Sequence, residues 1–372
     1  MNSAIWRAYV AGTVIAAGLA FSVSALEEEP QLVLKGKAAR VTVEVNGGSI
    51  TEFRLSGSDV NPLAVDWSEV ATTLFGFDLT YPWRGHFVCL DRFGFSSEQE
   101  LENGMVFHGE ASQVPWEVTA QPTLSDGALE AGMACRLPMA GLQVQRTMQL
   151  SEDAAVLCVH EAVTNTNALG RLYNNVQHAN IQTPFLDETT ILDCNAATGF
   201  LYQEPIPEDL ATFQWPHIEH KGKSIDLRSQ TANTDTFGVF MVVDRQAEHG
   251  WVTACSPSQG VMLGYLWSPE DYPWLLVFRM PKHGEPAWLT FEPATGYLGP
   301  NKHLVARGRV LDLPIVSYID AGETISTDYT AFLAPIPTDY RGVEDVRFAD
   351  DQIVIRERGD SDGSRDIRLK AR

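Results

Sequence analysis

The chain has 372 residues, a formal net charge of −21, 44% hydrophobic residues and five cysteines. Such acidity argues against nucleic acid and acidic membrane surfaces, which both require basic patches, and it disfavours a strongly anionic ligand. The apolar fraction suffices for a sizeable core, and the length suits one large all-β domain as well as two ordinary ones.

In chain order, Arg7 precedes an apolar run from Ala8 to Val23 that ends in the small-residue sequence Val23-Ser24-Ala25. A positive start, a short apolar stretch and such a site define a secretory leader. The run is shorter than a membrane span and is followed at once by Glu27, Glu28 and Glu29. Residues 1–25 are therefore expected to be removed on export, with the periplasm as the default destination over the cell exterior and no membrane association afterwards. Period-two alternation then dominates, the mark of half-buried strands. Val41, Val43 and Val45 share a face, and Leu142, Val144, Met148 and Leu150 alternate with polar neighbours. Further strands are expected over 155–163, 236–243, 251–255, 261–267, 274–280 and 287–292, with a last pair over 313–319 and 327–333. Short helical turns fit 68–74 and 208–213. Many short strands with turn-rich gaps predict a mainly β protein, a large antiparallel β-sandwich, rather than βαβ units. A single sandwich domain is expected over 26–345, and the densely charged residues 346–372 are expected to form an exposed strand and a frayed tail.

The cysteines form no C-x-x-C pair, so a structural zinc site is not indicated. Cys135 and Cys158 lie in neighbouring apolar segments and could bridge; buried free thiols are the expectation for most of the five. Polar groups concentrate within apolar strand context at four places. They are Tyr81-Pro82-Trp83-Arg84-Gly85-His86-Phe87 with Asp91-Arg92-Phe93-Gly94, His108-Gly109-Glu110-Ala111, Asn174 to Asn180, and Trp288-Leu289-Thr290-Phe291-Glu292. On a strand Trp288, Thr290 and Glu292 point one way and Leu289 and Phe291 the other, and His178, Asn180 and Gln182 share a face likewise. A carboxylate beside an indole suits a sugar, whose C–H face packs on the ring while the acid takes hydroxyls.

The succession of Arg84-Gly85, His108-Gly109 with Trp116 beyond it, mid-chain His178 and Glu292-Pro293 resembles the aldose 1-epimerase (galactose mutarotase-like) superfamily over most of residues 35–335. The segments around Arg84 and His108 are most similar to its hexose-6-phosphate branch. The resemblance implies a galactose mutarotase-like supersandwich in which Glu292 takes the proton of the anomeric hydroxyl and His178 protonates the ring oxygen. It further implies that His108 and Arg84 hold the sugar, with Asp235 as a candidate for a further substrate-holding carboxylate and Trp288 as a stacking ring. Positioned acid–base pairs of this kind contribute about 10² to 10⁴ in rate per group, and no metal or organic cofactor is required. That branch carries an Arg where this chain has Ser112, and Glu110 is acidic. A neutral sugar or an oligosaccharide end is therefore expected over a sugar phosphate.

Two rivals remain at this level. One is a carbohydrate-binding or accessory protein without turnover on the same fold; the other is a lyase or hydrolase with a related sandwich. His217, Glu219 and His220 could be metal ligands but are expected on the surface. No G-x-S-x-G elbow supports a serine hydrolase, and no sequence feature speaks to an oligomeric state.

Overall fold

The computed structural model describes residues 30–68, 79–94, 96–203, 206–230, 235–282, 285–297, 306–359 and 365–371. The expected leader, residues 1–25, lies outside the described residues, as does nearly all of the helix expected at 68–74. No helix among the described residues is long and apolar enough to cross a membrane.

Two large antiparallel sheets face each other. The larger runs, from one edge, Gln31–Lys35, Ala39–Glu44, Ile50–Leu55, His86–Asp91, Arg171–Gln182, Glu285–Ala294, Trp274–Lys282, Phe237–Val243, Ala196–Leu201, Thr212–Gln214, His217–His220 and Lys223–Asp226. Ser317–Ile319 pairs additionally with Arg171–Gln182. The second has eight strands in the order Ile191–Cys194, Gly250–Ser256, Val261–Trp267, Thr324–Pro335, Val156–Asn165, Leu142–Ser151, Ala128–Leu137 and Glu117–Ser125. The predicted sandwich is thus observed, because alternation leaves each strand one apolar row to bury. Val43, Val88, Ile181, Leu289 and Phe291 from the larger sheet meet Met133, Val144, Val159, Leu263 and Leu333 from the smaller.

Two local expectations are corrected. Residues 208–213 form no helix, and their end enters the strand Thr212–Gln214; a short helix stands instead at Glu98–Glu102, started by a capping box between Ser97 and Glu100. The expectation of buried, unbridged thiols holds: none of the five cysteines forms a disulfide, and all but Cys158 are buried. Cys135 packs in the core between the sheets, whereas Cys158 packs with the cluster on the far side of the smaller sheet. The charged C-terminal segment is no frayed tail: Val343–Ala349, Gln352–Glu357 and Ile367–Lys370 make a third, three-stranded sheet. Its Val346, Ile353 and Ile355 lie against Trp251, Met262 and Phe332 of the smaller sheet. One of its charges docks it, Arg358 pairing with buried Asp193 of the smaller sheet, while buried Glu357 pairs with Arg365 of the segment and with nearby Arg341.

Candidate active site

The site lies on the face of the larger sheet turned away from the smaller. Alternation assigns its residues: Trp288, Thr290 and Glu292 face this side, and Leu289 and Phe291 enter the intersheet core. Registers align one lateral row. Phe87 pairs with His178, Phe291 with Ala179, Leu276 with Glu292, and Phe240 with Leu276. Phe87, His178, Glu292, Leu276 and Phe240 consequently lie side by side across five strands and form the floor of a cavity of about 150 Å³. Its walls are Trp67, Trp83, Phe93, Gly94, Phe107, His108, Tyr202, Phe278 and Thr290.

His178 and Glu292 touch: Nε2 of the imidazole lies 3.3 Å from Oε1 of the carboxyl group. Thr290 donates its hydroxyl proton to the same carboxyl oxygen. The His178 ring stacks on Phe87 with centroids 4.4 Å apart and meets His108 edge-on at 5.0 Å. Glu292 is 1% and His178 7% exposed. Burial therefore pushes the Glu292 carboxyl up to about 8, although the Thr290 hydroxyl opposes this, and it depresses the His178 imidazole to about 3. Between those values the pair holds one proton. Glu292 Oε2, His178 Nδ1 and Trp67 Nε1 are buried without a hydrogen-bond partner. Buried polar atoms are normally satisfied, so three orphans on residues that line one cavity leave unused bonding capacity around it.

His108 reaches the cavity through an uncommon backbone. Its φ is +65°, and Gly109 follows at +79°, where a Cβ would come within 2.5 Å of the Leu90 carbonyl oxygen. A non-glycine residue in that region is costly and tends to be kept at functional positions. The Gly94 N–H donates to His108 Nδ1 at 3.3 Å, so the ring proton stands on Nε2, free for donation to a ligand.

Cys89, which sequence reasoning did not single out, contributes to a cluster with metal-capable groups. One ligand atom each of Cys89, His108 and His178 lie within 4.8 Å of one another. The donor set fits a metal poorly. The Gly94 contact leaves a proton rather than a lone pair on His108 Nε2, and burial, with Glu292 nearby, pushes the Cys89 thiol well above its usual range. His217, Glu219 and His220 do not converge either, because alternation turns His220 to the side opposite the other two.

Of the six residues singled out from the sequence, Glu292, His178 and His108 meet at this cavity. Arg84 does not line it; its guanidinium pairs with Glu44 at 3.1 Å and Asp66 at 3.0 Å. Asp235 is likewise elsewhere, paired with Lys221 at 2.9 Å and 3.7 Å from His220. Trp288 stands beyond Thr290, its ring 5.8 Å from Trp67 and its Nε1 donating to Gln182. Glu110 is turned away, its carboxylate accepting the backbone N–H groups of Met139 and Ala140, so it repels nothing in the cavity. Its neighbour Ser112 instead accepts the Trp83 indole N–H and holds that wall.

The fold is the galactose mutarotase-like β-sandwich, as three solved structures illustrate. The chain superposes on the Slr1438 protein of Synechocystis sp. PCC 6803 with a TM-score of 0.58 and 14% identity, covering 85% of this chain and 99% of that one. A galactose mutarotase-like protein of Clostridium acetobutylicum gives a TM-score of 0.59 at 12% identity, covering 82% of this chain and 95% of that one. For a galactose mutarotase-like protein of Lactobacillus casei ATCC 334 the TM-score is 0.56 at 15% identity, with 82% and 100% covered. No protein-family model matches the sequence, and no curated protein is significantly similar to it.

Proposed function

We propose that the protein is an aldose 1-epimerase-like enzyme that interconverts the anomers of a small neutral sugar. The observation that carries this reading is the 3.3 Å contact between Glu292 and His178 on the floor of a cavity of about 150 Å³. The hemiacetal hydroxyl and the ring oxygen of a pyranose sit on one carbon, so an adjacent base and acid can serve both. One member of the pair takes the proton from the anomeric hydroxyl while the other gives its proton to the ring oxygen. The C1–O5 bond breaks as C1=O forms, the C1–C2 bond turns, and the same transfers in reverse close the other anomer. His108 donates from Nε2 to a sugar oxygen, and aromatic walls pack on C–H faces. No redox change occurs, and no atom is gained or lost.

A neutral substrate follows from the lining, which offers no cationic side chain to a phosphate among the described residues. Export belongs to the same proposal and rests on residues 1–25. A mature N-terminus at Leu26 in protein recovered from the periplasm supports it, and an intact Met1 in the cytosol contradicts it.

The test is anomer interconversion followed by polarimetry or NMR with freshly dissolved α-anomers. Glu292→Gln and His178→Asn are expected to lose about 10² to 10⁴ in rate with the fold retained. A second reading, sugar binding without turnover, draws on one fact: Arg84 and Asp235, expected to hold hydroxyls, are engaged outside the cavity. It prevails if wild type binds sugars but matches the buffer rate.

A further inference from the structure

The polar groups of the cavity are not scattered around it. Glu292 contacts His178, Thr290 donates to Glu292, and His108 meets His178 edge-on, so these four side chains form one contiguous patch. Among the described residues the surface opposite is mainly ring and alkyl carbon: Trp67, Trp83, Phe93, Phe107, Phe240 and Phe278, with Leu276 and the ring of Tyr202. These walls are also spoken for. Trp83 donates its indole N–H to Ser112, leaving its carbon face to the cavity, and only Trp67 Nε1 presents a buried, unpartnered donor among the indoles of the lining.

An ordinary hexopyranose carries hydroxyls around its whole perimeter. With its hemiacetal at the polar patch, the hydroxyls at C4 and on C6 would face aromatic carbon. A buried hydroxyl without a partner forfeits about tenfold or more in affinity, whereas an added carbon in a matching apolar pocket gains about 10- to 200-fold in discrimination. We propose that the cavity is built for a deoxy sugar, a reducing pyranose with its oxygens at the anomeric end and C–H or methyl groups at the distal positions. This deepens the anomerase reading and rests on it for the orientation of the ring.

The experiment measures kcat/KM for anomer interconversion with D-glucose, D-galactose, their 6-deoxy derivatives, 4,6-dideoxy-D-xylo-hexose and glucose 6-phosphate. The expected order rises with each hydroxyl removed, the dideoxy sugar exceeding both parent hexoses by about tenfold or more, and the phosphate is not turned over. Phe278→Gln, which places an amide on the apolar wall, is expected to shrink that ratio. Parent hexoses turned over as well as the dideoxy sugar, or a turned-over phosphate, overturns the inference and leaves the anomerase reading intact. Calorimetric titration of the same sugars separates the remaining cases. Dideoxy-selective binding without turnover of any sugar sustains the ligand class and sinks the enzyme reading. Neither binding nor turnover overturns both.

Discussion

His86 and His178 occupy neighbouring strands, both are nearly inaccessible, and burial depresses both imidazoles to about 3. They differ in the face they take. His86 points between the sheets, where Nε2 meets Gln177 at 3.0 Å and Nδ1 meets the Tyr265 hydroxyl at 3.2 Å. Gln177 donates onward to Glu161, Glu161 pairs with Arg146 at 2.7 Å, and Arg146 lies over the Trp116 ring. His178, one residue past Gln177 and on the opposite face, keeps Nδ1 unpartnered beside a carboxyl group that also has a free oxygen. Equal burial and similar chemistry thus produce two outcomes. A closed polar network fixes the fold, and an open one leaves bonding capacity for a ligand.

The comparison can be broken at either end. The largest effect belongs to the open end, the loss of anomerisation in Glu292→Gln stated above. In the closed network Arg146→Met strips Glu161 of its guanidinium partner between the sheets. Chemical denaturation should register a loss of about 3 to 5 kcal/mol, and an unchanged midpoint would mean the network is not structural. Next comes the stability effect of the open end. The folded pKa of Glu292, about 8, is raised above its ordinary 4.5, so its contribution to stability is fully present below about 4.5 and is lost as pH climbs through about 8. Glu292→Gln should therefore overtake wild type in thermal stability across that window, by a few kcal/mol at pH 8 to 9; a constant difference from pH 4 to pH 9 would contradict the burial argument. Smallest is Asp235→Asn, at a carboxylate outside the cavity that pairs with Lys221 and approaches His220. It should change kcat/KM less than about twofold, and a larger loss would return Asp235 to the site.

Part of the site's floor was legible in the sequence because a strand's period of two is rigid. The faces of Trp288, Thr290 and Glu292, and of His178 and Asn180, follow from spacing alone. Trp274, Leu276 and Phe278 alternate in the same way and could have been read as a second row, although nothing local says that they face a cavity rather than a core. The walls were not legible, since Trp67, Trp83, Phe93 and Phe107 arrive from loops whose docking depends on contacts distant in the chain. Arg84 stands outside the cavity. Gly85 takes a φ of +50° directly before the strand His86–Asp91, and the guanidinium ends at Glu44 and Asp66 instead of over the cavity. The C-terminal sheet escaped because its charges obscured an alternating apolar set, Val346, Ile353 and Ile355, that needed the smaller sheet's outer face to bury it.

The central claim is that a single shared proton on Glu292 and His178 performs the anomerisation. The most direct measurement is the catalysed rate from pH 3 to pH 10, corrected for spontaneous interconversion in buffer. A one-proton pair predicts a plateau through neutral pH that falls above about 8, as the pair loses its proton. A rate that climbs through pH 5 and stays level to pH 10 would show instead a lone carboxylate base, with no role for the shared proton.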